Sequence, residues 1–123
     1  MIESPLHTLS KAERLSGKTA IATLLEKGRY VSVPPCLRVC YLPTDGPVSR
    51  ILLSVPKKNF KRAVKRNLLK RRIRESYRLQ KALLSGNFDI MFSYTPKEVL
   101  PFEEIRTAVG RALEILARQA AGR

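Results

Sequence analysis

The stretch SVPKKNFKRAVKRNLLKRRIRESYR, Ser54 to Arg78, decides how this chain is read. Twelve of the chain's 24 Lys and Arg residues lie between Lys57 and Lys81, where Glu75 is the single acid. Apolar residues recur there at helical spacing, which predicts one long helix from about Phe60 or Arg62 to Leu84. At about 100° per residue, Leu68, Leu79, Leu83, Leu69, Ile73, Leu84 and Tyr77 share one broad arc. Lys70, Lys81, Arg74, Asn67, Arg78 and Arg71 fill a narrower arc between its edges. The first arc can pack on a sheet, and the second is left for a polyanion.

A solvated helix face is the plainer reading of a charge run. Solvated faces usually mix signs, because like charges at i,i+4 destabilise a helix by about a few tenths of a kcal/mol per pair. Here Lys70, Arg74 and Arg78 stack like on like, and Glu75 can relieve Arg71, Arg72 or Arg78 but not the whole array. Tolerated repulsion of this kind points to an anionic partner. Arg72 and Lys65 fall within the apolar arc and are read as snorkelling, with stems buried and heads wet.

The rest of the chain makes the excess charge local. Net charge is +14 on 123 residues, yet outside the basic stretch twelve cations face nine acids. The length suits one domain with one core. A concentrated cationic face favours fast, salt-sensitive binding to a polyanion. A membrane surface would require free apolar residues on the same helix, and those are needed for the core. The opening MIESPLHTLSK lacks the apolar run of a secretory signal, and no stretch approaches the roughly 18 apolar residues of a membrane span. The expected location is cytoplasmic. Cys36 and Cys40 sit four apart in an extended segment, too distant for a disulfide, and read as reduced thiols. With the lone His7 they make no spaced ligand set, so no metal is expected on the protein.

Along the chain, residues 1–8 and 120–123 read as loose tails of a single domain spanning 1–123. Ser16 is a candidate N-cap for a short helix with Ile21, Leu24 and Leu25 at helical spacing, and Gly28 is its terminator. Tyr30 to Leu42 reads as one or two extended segments broken by Pro34 and Pro35, followed by a turn at Thr44 to Pro47. Ile51 to Val55 is a short strand. After the basic helix, Ser85 to Asn87 form a break and Phe88 to Tyr94 a strand. A last helix begins at about Pro101, a favoured first helical position, with Ile105, Val109, Leu113 and Leu116 facing inward. The order is α-β-β-β-α-β-α, and the class is α+β or α/β with a small sheet.

These residues resemble a known family. Lys57, Lys58, Ala63, Val64, Arg66, Asn67, Lys70, Arg71, Arg74 and Glu75 are similar to the signature helix of the bacterial ribonuclease P protein component. The likeness extends to the opening LSKAERL (Leu9 to Leu15), Gly28, the LLSVPKK strand and turn, and the strand-helix end. It implies an α+β fold with a four-stranded sheet, helices packed mainly on one side, and a left-handed crossover, like a domain of a small-subunit ribosomal protein. It also implies a protein subunit of a ribonucleoprotein endonuclease, ribonuclease P, which removes the 5′ leader of precursor tRNA. In that family the RNA subunit is catalytic and requires Mg²⁺, while the protein binds that RNA and the leader. No catalytic side chain is expected in the protein: a protein nuclease would use clustered carboxylates or a His pair, and this chain has ten scattered acids and one His.

Carried over residue by residue, the resemblance gives Lys57, Lys58, Lys61, Arg62, Lys65, Arg66, Asn67, Lys70, Arg71 and Arg74 as the face toward the RNA subunit. Some of these can instead orient contacts of the helix. Arg66 and Arg74 are each expected to supply about one phosphate contact with little part in stability. The resemblance also implies a cleft where single-stranded leader crosses the sheet. Ile21 and Leu25 occupy first-helix positions where Phe is common in the family. The strand aromatic of that cleft corresponds to Cys40 or to Tyr41, depending on how Pro34 and Pro35 are aligned. A ribosomal or other structural RNA-binding protein and an autonomous nuclease remain alternatives. A helix-turn-helix DNA regulator fits poorly, since strands flank the basic helix, and DNA is not an expected partner.

Overall fold

The computed structural model describes residues 10–121; the expectations for residues 1–8 and 122–123 lie outside them, and Ala120 and Ala121, expected in a loose tail, belong to the last helix. A 3-10 turn at Lys11–Glu13 leads into helix α1 (Lys18–Lys27), strands β1 (Arg29–Val33), β2 (Leu37–Pro43) and β3 (Arg50–Ser54), and helix α2 (Ala63–Gln80). A second 3-10 turn, strand β4 (Phe88–Tyr94) and helix α3 (Phe102–Ala121) follow. The strands lie in the order β1-β2-β4-β3. Pairing is antiparallel for β1 with β2 and for β2 with β4, and parallel for β3 with β4. The β3-α2-β4 connection therefore crosses over the sheet. The class is α+β, and Tyr30 to Leu42 divides into two strands.

Strand alternation gives the sheet two unequal faces. Leu37, Val39 and Tyr41 of β2, Phe88, Ile90, Phe92 and Tyr94 of β4, and Ile51 of β3 form one large core with α2 and α3. Helix α3 supplies Ile105, Val109, Leu113 and Leu116 to it, as their spacing suggests, together with Ala108 and Ala112. On the opposite face α1 makes a much smaller cluster, in which Leu15, Leu24 and Cys40 are buried and Ile21, Leu42, Leu52 and Met91 pack around them.

The buried stripe of α2 is narrower than the apolar arc of the wheel. Leu69, Ile73, Ser76 and Tyr77 are buried, while Leu79 and Leu83 are largely exposed. The α-helix ends at Gln80, and the 3-10 turn Lys81–Leu83 changes the rotation per residue, which carries Leu83 away from the core. The start also differs from the expected Phe60 or Arg62. Pro56 to Phe60 forms a turn, with the Phe60 N–H donating to the Pro56 carbonyl at 3.3 Å. The buried Phe60 ring packs against Tyr94 at 5.9 Å between centroids. Lys57, Lys58 and Lys61 thus belong to the lead-in, and Arg62 is the N-cap residue.

Glycine positions fix α1. Gly17, not Ser16, is its N-cap; its φ of 93° turns the chain from the edge of β3 into the helix, a conformation that disfavours any side chain. Gly28 ends α1 at an ordinary φ of −72°, so its requirement is proximity. A Cβ there would lie 2.4 Å from the Leu24 carbonyl oxygen and 2.7 Å from Cys40 Sγ. Gly28→Ala should therefore force α1 off β2 and lower stability by about 1–3 kcal/mol, read as a fall in the urea midpoint.

The N-terminal turn is tethered to the far end of α2. The Ser10 N–H donates to Glu13 Oε1 at 3.0 Å, and Lys81 Nζ donates to both Glu13 oxygens at 3.2 and 3.0 Å. Burial alone would raise the Glu13 pKa, but these donors hold it below the ordinary 4.5. A lowered folded-state pKa stabilises above the unfolded value and ceases to do so as pH falls through the folded one. Glu13→Gln should therefore reduce stability at neutral pH, and the gap from the unsubstituted protein should close under acid. Urea melts at neutral and acid pH measure both.

Candidate nucleic-acid interface

Burial of Leu69, Ile73 and Tyr77 against the sheet turns the opposite side of α2 outward. Lys65, Asn67, Arg71 and Arg74 are exposed, and Lys70 is half-buried. The lead-in cations Lys57, Lys58, Lys61 and Arg62 are exposed as well. The side-chain charges of these eight make no hydrogen bond or ion pair among the described residues, whereas other basic residues of the stretch are committed to the protein. Arg66 Nη1 donates to the carbonyls of Phe60 at 2.7 Å and Lys61 at 2.9 Å, fastening the lead-in to the helix. Arg72 Nη1 donates to the Leu100 carbonyl at 2.6 Å, so its head does not reach water by snorkelling alone. Glu75 pairs with Arg78, and that guanidinium holds the Glu75 carboxyl below its ordinary pKa.

The lightly covered face of the sheet carries a second feature. Tyr30, Arg38, Cys40, Met91 and Ser93 line a groove of about 420 Å³ that is closed at one end by Pro56, Lys58, Asn59, Tyr94 and Thr95. Tyr30 is 47% exposed. The Arg38 guanidinium carbon lies 4.8 Å from the centre of its ring, a cation–π arrangement. The Tyr30 hydroxyl donates to the Leu25 carbonyl at 3.3 Å, which ties the ring to the end of α1. The groove thus offers an aromatic face and a cation at one end and Lys58 at the other, a combination suited to unpaired bases joined by phosphates.

The four cleft candidates are not brought together. Cys40 lies at the groove floor, 1% exposed, and its thiol donates to the Leu24 carbonyl at 3.4 Å; burial raises its pKa, which keeps it a neutral thiol. Tyr41 must be withdrawn. One residue along β2 it faces the other side of the sheet, 5% exposed and packed edge-on against Phe88 at 6.0 Å and 71°. Ile21 is half-buried against the small cluster. Leu25 is 42% exposed on α1, near the Tyr30 end. Tyr30 and Arg38 were missed from the sequence. In β1, Tyr30 pairs directly with Cys40, so an aromatic ring stands across the strand from the position where the family's strand aromatic was sought. The period of two was a usable signal; the register across Pro34 and Pro35 was not legible.

Among the described residues, no three His, Cys, Asp or Glu side chains come close enough to hold a metal ion. None of the described helices is long and apolar enough to cross a membrane. Fold and surface together define a small α+β protein with a cationic helix beside a groove suited to single-stranded nucleic acid. The Ribonuclease P family profile matches residues 9–117. The Ribonuclease P protein component of Porphyromonas gingivalis (strain ATCC BAA-308 / W83) is 39% identical over 123 residues, covering 92% of this chain and 89% of that one. That of Borrelia turicatae is 35% identical over 86 residues, covering 69% and 74%. The solved RNase P protein of Thermotoga maritima superposes with a TM-score of 0.74 at 25% identity, covering 84% of this chain and 96% of that one. The Staphylococcus aureus RNase P protein gives 0.74 at 26%, covering 85% and 95%. The chain belongs to the ribonuclease P protein family. Membership makes it a protein component of a ribonuclease and implies a ribonuclease P RNA as partner.

The two helix arginines should now behave differently. Arg74→Ala removes an exposed, unpaired cation, so stability should hold while affinity for the RNA falls with a slope against log salt shallower by about one. Arg66→Ala should also unfasten Phe60 and Lys61 and lower stability by about 1–3 kcal/mol, as for lost hydrogen bonds to a charged group. This revises the expectation that Arg66 has little part in stability. Salt-titrated binding and urea melts of the two variants, side by side, measure the difference.

Proposed function

We propose that this chain is the cytoplasmic protein subunit of ribonuclease P, binding the catalytic RNA subunit through its cationic helix and the 5′ leader of precursor tRNA through the groove on the open sheet face. The observation that carries this reading is the continuity of the two surfaces: Lys58 belongs to the cationic lead-in and also closes the groove. In this arrangement the RNA subunit performs the hydrolysis with its own Mg²⁺, and the protein binds no cofactor and supplies no catalytic side chain. Its contribution is electrostatic and positional. The free cations neutralise phosphates of the RNA subunit, and Asn67, exposed among them, offers an amide to a sugar or phosphate. The Tyr30 ring, backed by Arg38, stacks on a leader base, while Lys58 meets the backbone at the other end.

The deciding experiment is reconstitution. Pure protein added to a transcribed ribonuclease P RNA should restore cleavage of precursor tRNA at low Mg²⁺, and protein alone should not cut. A protein that binds the RNA without restoring cleavage would be a structural RNA-binding protein, and cleavage by protein alone would be an autonomous nuclease. Within the holoenzyme, Tyr30→Ala should weaken binding of leader-bearing precursor by about 1–3 kcal/mol, as for one stacked base, and leave mature tRNA unaffected. Leu25→Phe, at an exposed position, should fold normally and strengthen precursor binding within the same range. Ile21→Phe, at a packed position, should lower the melting midpoint by overpacking.

A further inference from the structure

A second groove lies at the other edge of the sheet. Arg14, Leu15, Ser16, Ile51, Leu52, Leu53, Lys70 and Arg74 surround a space of about 540 Å³. We propose that Arg14 joins Lys70 and Arg74 in a three-cation clamp at the open edge of β3, which holds the sugar-phosphate backbone of an RNA strand.

Arg14 is held in place by the fold. The Leu15 N–H donates to the Ile51 carbonyl at 2.8 Å, and Arg14 pairs with Ile51 as a one-residue parallel bridge. The Glu13 tether to Lys81 fixes the residue before it. Arg14 itself is exposed, and its guanidinium, like the side-chain charges of Lys70 and Arg74, has no hydrogen bond or ion pair among the described residues. Three such cations around one concavity repel each other until an anion enters, and they focus its field there.

The edge of β3 adds main-chain groups. Ile51 presents its carbonyl outward to Leu15, so by the two-residue period Leu53 presents its own N–H and C=O on the same side. Beyond Arg14 no described segment pairs with that edge. A phosphate oxygen can accept from the Leu53 N–H, and a ribose hydroxyl can donate to its carbonyl. Half-buried Leu52 and Leu53 flank the strand edge from its opposite faces, giving a sugar an apolar side chain above and below the main chain. The charge count favours a nucleic acid strand over a peptide added to so short an edge.

The clamp rests on the reading of α2 as the face toward the RNA subunit and extends it to a residue outside that helix. The test compares Arg14→Ala, Arg14→Lys, Arg74→Ala and, as a control on the exposed side of α3, Arg111→Ala. Each full chain is titrated with transcribed ribonuclease P RNA over a range of salt and is also melted. Arg14→Ala should lose one phosphate contact, so that between about 0.05 and about 0.2 M salt its affinity falls about threefold less than that of the unsubstituted protein. Arg14→Lys should keep the original slope, Arg111→Ala should change nothing, and the melts of all four should coincide. Sulfate, used as a phosphate probe, should raise the melting midpoint beyond an equal ionic strength of chloride, and by less in Arg14→Ala. An unchanged slope in Arg14→Ala beside a shallower one in Arg74→Ala would overturn the clamp and leave the helix reading standing. Unchanged slopes in both would overturn the two together. A lower midpoint for Arg14→Ala with no change of slope would make Arg14 a structural residue and also end the proposal.

Discussion

The cationic surface of this protein depends on how α2 is seated. Leu69, Ile73 and Tyr77 are almost fully buried against the sheet and α3. Full burial of a large apolar side chain contributes about 1.5–3 kcal/mol, whereas a like-charge pair on a helix costs about a few tenths of a kcal/mol. Three anchors of that size outweigh the repulsion between Lys70 and Arg74 and fix the helix about its axis. The same seating turns the cations outward. Glu75 relieves one arginine, Arg78, and leaves the rest of the face charged.

The sheet supports two surfaces because its faces are covered unequally. Helices α2 and α3 cover one face, and the Gln80 side-chain amide bridges them, its Nε2 donating to the Arg106 carbonyl at 2.9 Å. Helix α1, ten residues long, covers only part of the other. It shields Cys40, Leu42, Leu52 and Met91 and stops at Gly28, leaving Tyr30 and Arg38 in the open. A longer first helix would fill the groove; a bulkier residue than Gly28 would displace the one present.

Basic residues in this chain do two kinds of work, and geometry separates them. Arg66 and Arg72 spend their donors on main-chain carbonyls of the lead-in and of the loop before α3. Arg50 forms a two-pronged pair with its register partner Asp89 at 2.9 and 2.7 Å, joining β3 to β4. Such groups rigidify the platform. The cations left without partners stand on that fastened platform, and a preorganised platform has less to order when a strand binds.

By itself the sequence determined what depends on neighbours along the chain: the order of elements, the amphipathic period of α2 and α3, and the concentration of cations between Lys57 and Lys81. The motif residues of the basic helix were legible for the same reason, since their spacing is local. Tertiary structure alone decided what depends on distant pairing. The register of β1 on β2 placed Tyr30 beside Cys40 and sent Tyr41 to the core, because a shift of one residue exchanges the two faces of a strand. The carbonyls of Phe60 and Leu100 claimed Arg66 and Arg72, although neither sequence position differs in chemistry from its unpaired neighbours. Arg14 reached the basic helix only through a bridge to β3, 37 residues along the chain. Charge can be counted from a sequence, but whether a cation is free for a ligand is settled by the acceptors that folding brings to it.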